Sequence, residues 1–186
     1  MTNHIQIYDN VLSKESCHYI IEYFDSSSDK HGGLSGGQIK KNIKDSMDLG
    51  CDFLSPRNHM EDTINKKVRD AIQIGKNKYK KKFPFLDEVY YWKIDKGYNI
   101  QKYTENQGYH SRHAEVCGPL NSNRMLVWMI YLNNAKSGTR FYYPTRNIRA
   151  RRGRLVLWPA YWMHPHSGIT PNKGEKYILT GWFSYN

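Results

Sequence analysis

The sequence predicts an α+β fold that is mainly β: a jelly roll (double-stranded β-helix) with N-terminal helices packed on one sheet. Two observations predict it. Before Pro84, apolar residues recur at helical spacing in two segments; after Pro84, short β-branched and aromatic runs alternate with turn residues. The 186 residues, 39% of them apolar, suffice for one domain with its own core. We therefore expect a single domain, with a strand, helices and a glycine-rich loop in residues 1–84 and the jelly-roll core, which carries the functional site, in residues 85–186.

The first predicted elements are a strand and a helix. The strand spans residues 5–8, and Ser13 is a suitable N-cap for the helix that follows. Apolar residues then recur at the i, i+3, i+4, i+7 spacing of an amphipathic helix. They are Cys17, Ile20, Ile21 and Phe24. Residues 26–44 are rich in Ser, Gly, Lys and Asp, so we predict a loop there, either a functional lid or a disordered segment.

A second helix is predicted between this loop and Pro84. Its apolar stripe consists of Ile64, Val68, Ala71, Ile72 and Tyr79. We expect the helix to end before Pro84, because the residue that precedes a proline avoids the helical region.

Six strands are predicted after Pro84. They span residues 89–94, 100–103, 125–132, 139–143, 155–158 and 177–183. The sequences Asn-Ser-Asn, Lys-Ser-Gly and Asn-Lys-Gly supply turns between them. Strands of this length and composition indicate antiparallel sheets that close as a sandwich or jelly roll, with the helices on one outer sheet face.

The chain is basic, with 28 Lys and Arg against 17 Asp and Glu and a net charge of +11. An anionic partner such as nucleic acid, an acidic peptide or a carboxylate substrate would be steered toward it. Much of the excess lies in residues 76–82 and 146–154, which we interpret mainly as solvated faces rather than binding grooves.

Cysteine content and hydropathy bear on the compartment. The three cysteines form no Cys-x-x-Cys pair, which argues against a disulfide framework and a thiolate zinc site and favours a reducing environment. No stretch approaches the ~20 apolar residues of a membrane span. The N-terminal residues contain no apolar run as long as the core of a signal peptide. We therefore predict a cytoplasmic protein without a membrane segment.

His113-Ala114-Glu115 is the first half of a predicted metal site. Such a triplet is weak evidence alone, and the chain has a second one at His59-Met60-Glu61. There, Glu61 suits the positive end of the helix that it opens. His113 and Glu115 instead follow a Tyr-rich strand pattern, so both side chains would project from one face of an extended chain.

The third ligand is predicted among two later histidines. His164 and His166 would share a strand face, after a buried run that ends at Pro159. Two imidazoles and one carboxylate, with coordination positions left open, form the facial triad of non-haem Fe(II) oxygenases. On the terminal strand, Lys176 and Thr180 alternate with Trp182 on one face, and a bound anion would relieve the cost of burying the lysine.

With these residues in view, the sequence from about Tyr103 to Phe183 resembles the 2-oxoglutarate and Fe(II)-dependent oxygenases, in particular the prolyl 4-hydroxylase-like branch. Tyr103 lies ten residues before His113, Tyr131 opens a Tyr-Leu-Asn sequence, and Lys176 lies ten residues beyond His166. At the position of Glu115 the family more often has Asp, whose side chain is one methylene shorter. The spacing to Lys176 favours His166 as the distal ligand, with His164 as the alternative or as a substrate contact.

The resemblance implies a dioxygenase that hydroxylates its substrate and converts 2-oxoglutarate and O₂ to succinate and CO₂, with ascorbate as reductant. Its implied iron ligands are His113, Glu115 and His166. The implied 2-oxoglutarate contacts are Tyr103, Tyr131, Lys176 and Thr180. The predicted substrate pocket contains Arg112, Trp128, His164 and Trp182. A peptide or protein containing proline is the expected substrate; the sequence does not predict the oligomeric state.

Other interpretations stay open at this stage. The same chemistry could act on a free amino acid, another side chain or nucleic acid. A non-catalytic basic module could stack bases on the Tyr-rich sheet and contact phosphates through residues 146–154, although this leaves the ordered His, Glu, His and Lys series unexplained. A zinc hydrolase is disfavoured because no Glu lies beside a helical His pair to act as base.

Overall fold

The structure, a computed structural model, describes residues 3–185. Two main antiparallel sheets, one of seven strands and one of three, form the β part together with two two-stranded pairs, and two helices pack against the larger sheet. The helices are α1 (Lys14–Ser26) and α2 (His59–Lys82). The strands are β1 (Gln6–Tyr8), β2 (His31–Gly32), β3 (Leu34–Ser35), β4 (Gln38–Ile39), β5 (Lys44–Asp45), β6 (Met47–Asp52), β7 (Trp92–Tyr103), β8 (Gly108–Tyr109), β9 (Arg124–Tyr131), β10 (Gly138–Tyr142), β11 (Thr145–Arg149), β12 (Arg154–Pro159), β13 (His166–Ile169) and β14 (Lys176–Tyr185).

The larger sheet has the order β1-β12-β9-β14-β7-β6-β2, and the smaller has the order β11-β10-β13. The last strand, β14, therefore lies between β9 and β7, with Lys176 opposite Tyr103 and Ile178 opposite Tyr131. Strands that are distant in sequence pair as neighbours, as in jelly rolls. The predicted mainly-β fold with two helices on one sheet is confirmed.

Strand alternation on β9 separates two cores. Leu126, Trp128 and Ile130 face the helices, and Val127 and Met129 face the smaller sheet. The apolar stripes of both helices are buried in the first core, as their spacing predicts. The apolar faces of both helices thus cover one face of the larger sheet, and its other face is turned toward the smaller sheet.

Both predicted helices are confirmed. The Ser13 hydroxyl accepts a hydrogen bond from the amide of Ser16 at the start of α1, and α2 ends at Lys82, before Pro84. His59 opens α2, and Glu61 lies in its first turn, as expected for the second His-x-Glu triplet. Among the described helices, none has an apolar stretch that could span a bilayer.

Residues 26–44 are not the plain loop that their composition predicts. They contain β2, β3, β4 and the first residue of β5. Gly36 and Gly37 have φ of +59° and +77°, and they turn the chain between β3 and β4. Glycine adopts these angles without the steric penalty of a side chain, so the residues that suggested a loop build a short hairpin. We call residues 34–39 the glycine hairpin.

Two predicted strands, at residues 89–94 and 100–103, are one strand, β7. Residues 95–99, between the two predicted strands, stay extended because they pair with β6 on one side and β14 on the other. Residues 84–87 form a 3₁₀ turn, so the strand also begins later than predicted.

Candidate metal centre

His113, Glu115 and His166 meet in space. Their ligand atoms all lie within 4.8 Å of one another, and within residues 3–185 this is the one group of at least three His, Cys, Asp or Glu side chains so arranged. Glu115 Oε1 lies 3.3 Å from His166 Nε2 and 3.7 Å from His113 Nε2. Two imidazole nitrogens and one carboxylate oxygen converging from one side are the donor set of the facial triad.

The backbone brings the two histidines together by a local pairing rather than by the predicted strand. The amide of His113 donates to the carbonyl of His166 at 2.9 Å, and the reverse hydrogen bond is 2.8 Å. Outside this isolated bridge, residues 113–115 are not in a strand, which corrects the prediction of an extended ligand strand. The short β8 ends at Tyr109, whose ring stacks on His113 with centroids 3.7 Å apart.

Hydrogen bonds orient both imidazole rings. Nδ1 of His113 lies 3.0 Å from the carbonyl of Ser111, and Nδ1 of His166 lies 3.0 Å from the carbonyl of His164. A carbonyl only accepts, so each Nδ1 donates to its carbonyl and each Nε2 is left to face Glu115. The two Nε2 atoms are thus the ones that would bind a metal, after release of the protons that they donate to Glu115.

Glu115 is held from the opposite side. The indole N–H of Trp182 donates to Oε2 at 2.9 Å, and a guanidinium nitrogen of Arg124 lies 3.7 Å from the same oxygen. Burial alone would raise the pKa of Glu115, but hydrogen bonds and positive charge from His113 and His166 hold it well below its ordinary value. The carboxylate therefore stays ionised, as a metal ligand must.

Lys176 is a buried cation beside this group. Its side chain is 2% exposed, and its ammonium donates to the carbonyls of Ile169 at 3.2 Å and Gly138 at 3.4 Å. The ammonium also lies 4.5 Å from the centre of the Tyr103 ring. Among the described residues, no carboxylate comes within 4.0 Å of it, and burial lowers the pKa of Lys176 to about 8. A buried ammonium without an ionic partner among the described residues is suited to bind an anion.

A cavity of about 930 Å³ joins these groups. It opens between the two sheets and is covered in part by the glycine hairpin. Most of the residues predicted for the site line it: Tyr103, Arg112, His113, Glu115, His166, Lys176, Thr180 and Trp182. The alternation predicted for Lys176, Thr180 and Trp182 thus gives them a shared face.

Three predicted residues do not line the cavity. Trp128 points to the helix side, where it packs against Tyr98, because it alternates with Met129 on β9. His164 lies in the turn before β13 and not on a strand face with His166. The Tyr131 hydroxyl lies 2.7 Å from Thr139 Oγ1, and Thr139 lines the cavity in its place.

His164 is a buried neutral group. It is 5% exposed, its ring lies 6.3 Å from the ring of His4, and its Nδ1 has no hydrogen-bond partner among the described residues. Burial, with repulsion from His4 and His166, lowers the pKa of His164 to about 4. The geometry thus favours His166 over His164 as the distal ligand.

A buried polar cluster beside the cavity escapes prediction from the sequence. Lys44 and Asp48 form an ion pair, Ser46 donates to Asp48 at 2.7 Å, and the amide nitrogen of Gln101 donates to Asp48 at 3.3 Å. The Tyr103 hydroxyl donates to Gln101 at 2.9 Å. Gln101 could have been found because it alternates with Tyr103 on β7, whereas Lys44 lies in the segment predicted as a loop.

A family model described as the 2OG-Fe(II) oxygenase superfamily matches residues 98–184. Over these residues the chain matches a 2OG-Fe(II) oxygenase domain. The match contains His113, Glu115, His166 and Lys176. The resemblance found in the sequence is confirmed, and with it the prediction of a dioxygenase of the hydroxylase type.

Individual relatives point the same way. A candidate prolyl 4-hydroxylase of Acanthamoeba polyphaga mimivirus is 25% identical, over 95% of this chain and 72% of its own length. The solved structures that share the fold include the collagen prolyl hydroxylase of Paramecium bursaria Chlorella virus-1 in complex with 2OG (TM-score 0.72, 17% identity, 99% of this chain and 97% of that one). A Trichoplax adhaerens prolyl hydroxylase bound to a fragment of the hypoxia inducible factor oxygen degradation domain has a TM-score of 0.75 and 16% identity, over 98% of this chain and 84% of that one.

Proposed function

We propose that the protein hydroxylates a prolyl residue in a peptide or protein, using Fe(II), O₂ and 2-oxoglutarate. The observation that carries this proposal is that the His113, Glu115 and His166 donor set and the buried cation Lys176 line one cavity. The prolyl substrate is supported by the mimivirus relative and by the solved prolyl hydroxylases that share the fold.

The donor set fits iron. Both histidines direct Nε2 toward Glu115, and Glu115 keeps a negative charge, so the three side chains would hold the ion from one side and leave positions for other ligands. Iron bound there together with 2-oxoglutarate supplies the oxidative chemistry that releases succinate and CO₂ and transfers one oxygen atom to the substrate. We propose ascorbate as the reductant that keeps the iron in the ferrous state.

The inner part of the cavity fits the co-substrate. Lys176 would hold the distal carboxylate, assisted by the hydroxyl of Thr180 and by Tyr103, which packs on the lysine. Tyr131 is set back from the cavity, so we propose that it orients Thr139 rather than touching the co-substrate. Binding an anion would offset the cost of burying the ammonium group of Lys176.

The outer part of the cavity would receive the peptide. Arg112 and Trp182 line it, and the glycine hairpin lies over it. The Trichoplax protein binds a peptide fragment, which supports an extended polypeptide as the partner of this face. We also propose a cytoplasmic location, with Cys17, Cys51 and Cys117 free as in the structure.

The direct test is aerobic incubation with Fe(II), ascorbate and labelled 2-oxoglutarate, with and without a panel of proline-containing peptides. We expect labelled succinate, released faster when a substrate peptide is present, and a peptide mass increase of one oxygen atom. Lys176→Met is the matched variant, because it keeps the side-chain volume but removes the cation. The proposal is contradicted if neither protein forms succinate in samples shown to be folded and to bind metal. Its substrate part is contradicted if the oxygen atom is added to a residue other than proline.

A further inference from the structure

The basic charge of the chain is concentrated in one segment. Residues 116–174 contain nine Lys and Arg and no Asp or Glu, so they supply nine of the eleven net positive charges. The predicted jelly-roll core, residues 85–186, has a net charge of +8, and α2 is also basic, with eight Lys and Arg against three Asp and Glu. Because these 59 residues contain no Asp or Glu, any ion-pair partner of the cations in residues 116–174 must come from outside the segment.

Several of these cations lie on the outer face of the smaller sheet. Arg140 pairs in register with Asn147 on β11 and Ser167 on β13, and Arg149 lies opposite Gly138. Phe141 and Ile148, on the alternate positions, are buried between the sheets. Arg140 and Arg149 are therefore exposed on the face that points away from the core.

This face reaches the mouth of the cavity. Arg112, which lines the cavity, places its guanidinium 5.4 Å from the centre of the Tyr142 ring. The Tyr142 hydroxyl lies 3.1 Å from Ser167 Oγ, on the same sheet face. Arg112, Arg140 and Arg149 thus form a basic row that runs from the cavity along β10 for roughly 13 Å, at about 3.3 Å per strand residue.

The row lacks internal counter-ions. Across residues 3–185, no carboxylate oxygen lies within 4.0 Å of the guanidinium of Arg112, Arg140 or Arg149. By contrast, Arg151 and Arg154 pair with Asp9, and Arg124 pairs with Glu115. The three arginines of the row are thus free to bind an external anion.

We propose that the basic row binds an acidic stretch of the substrate polypeptide, within about three to six residues of the residue in the cavity. This inference rests on the proposed function, since it takes the cavity as the place where a polypeptide is modified. An extended chain leaving the mouth would follow β10, and its alternate side chains would face the arginines. Nucleic acid fits this face less well, because single-stranded binding uses open aromatic rings on which bases stack. The aromatic residue of the paired positions on this face is Tyr142. Its ring is covered by Arg112 and its hydroxyl lies beside Ser167.

The test compares binding without turnover. Two fluorescent peptides have the same central proline. One, the Glu peptide, has Glu three to six residues before and after the proline, and the other, the Gln peptide, has Gln at these positions. Fluorescence anisotropy is measured with the Mn(II)-loaded full chain, with R140Q/R149Q, and with K67Q/K81Q as the matched control. Lys67 and Lys81 are exposed on α2, on the other side of the larger sheet, so the control removes the same charge elsewhere.

We expect the wild-type protein and K67Q/K81Q to bind the Glu peptide about five- to tenfold more tightly than the Gln peptide at low salt, the effect of two or three exposed ion pairs. The preference should disappear in R140Q/R149Q and shrink toward 0.5 M salt. Equal binding of both peptides by the wild-type protein overturns the proposal, as does a preference that R140Q/R149Q retains. The proposal is also overturned if a single-stranded oligonucleotide binds the wild-type protein more tightly than the Glu peptide does and R140Q/R149Q no longer binds that oligonucleotide.

The two proposals fail differently. A Glu preference that depends on Arg140 and Arg149 supports the basic row even where no peptide gains an oxygen atom, and in that case the proposed hydroxylation is contradicted. Prolyl hydroxylation with equal rates on both peptides supports the proposed function and overturns the row.

Discussion

The indole N–H of Trp182 donates a hydrogen bond to Glu115 Oε2 at 2.9 Å. This contact fixes one carboxylate oxygen and leaves the other, Oε1, toward His166 and His113. A glutamate has one more rotatable bond than the aspartate that this family more often uses, so its carboxylate needs more restraint. The last strand thus completes the predicted metal site, although it supplies no ligand.

Replacing Trp182 with Phe should weaken metal binding. The variant keeps an aromatic ring, although a smaller one, but the hydrogen bond to Glu115 is lost, and outer partners of metal ligands typically contribute ten- to a hundredfold in affinity. We expect at least a tenfold higher dissociation constant for Mn(II) or Co(II), measured by titration. Trp162→Phe is the control, because Trp162 is 76% exposed and should leave the affinity unchanged. Equal affinities for the two variants would show that the hydrogen bond does not support the site.

The two candidate distal ligands can be separated by alanine variants. His166→Ala should abolish stoichiometric Co(II) binding, because it removes one of the three converging donors. His164→Ala should keep the metal, since His164 lies outside the cavity, and should lower stability through the space left in the core. Retained metal in His166→Ala together with lost metal in His164→Ala would reverse the assignment.

The affinity for 2-oxoglutarate should fall as pH rises through about 8. Below that pH the Lys176 ammonium is charged and attracts the distal carboxylate; above it, binding must first return a proton to the lysine, which costs up to about tenfold per pH unit. Isothermal titration of the Mn(II) protein from pH 7 to 9.5 measures this trend. Lys176→Arg should bind with little pH dependence across the range, because a guanidinium stays charged. A wild-type affinity that is flat to pH 9.5 would contradict the assignment of Lys176.

The same lysine affects folding with the opposite sign. Its folded pKa lies below its ordinary value of 10.5, so between pH 8 and 10.5 the unfolded chain binds more protons. The contribution of Lys176 to the free energy of unfolding of the ligand-free protein therefore rises with pH across that window.

Gly181 is predicted to be essential for packing at the centre of the larger sheet. A Cβ atom there would lie 2.4 and 2.7 Å from ring atoms of Trp128, which is fully buried and cannot move easily. We expect Gly181→Ala to lower the free energy of unfolding by about 1–3 kcal/mol in urea titrations. Gly50→Ala, whose Cβ would meet Asn99 at an ordinary 3.7 Å, is the control and should change it by less than about 0.5 kcal/mol.

Local patterns predict much of the site. The alternation of Lys176, Thr180 and Trp182 depends only on the two-residue period of a strand, and the structure keeps it on β14. The Ser13 cap and the stripe of α2 are equally local. Such features need no knowledge of what lies across the fold, which explains why they could be predicted.

Features that depend on distant partners could not be predicted. β6 is a strand because β2 and β7 flank it, although its sequence contains Gly50 and no clear alternation. Lys44 is buried in an ion pair with Asp48, and Asp48 is held in turn by a hydrogen bond from Gln101 on β7, 53 residues away in sequence. Tyr131 matches a family position, yet its hydroxyl is taken by Thr139, eight residues away on β10. Each outcome is set by pairing in three dimensions rather than by the residue's own neighbours.

The central position of β14 has a consequence for biosynthesis. This strand is the last of the domain in sequence, yet it pairs along its length with β9 and β7, which cannot meet without it. A chain still emerging from the ribosome would expose both of those strand edges, and exposed edges of apolar strands invite aggregation. Because β14 also carries Lys176, Thr180 and Trp182, the pocket for the co-substrate assembles only when synthesis has passed Tyr185. A chain that stops between β9 and β14 should therefore aggregate more readily than the full chain.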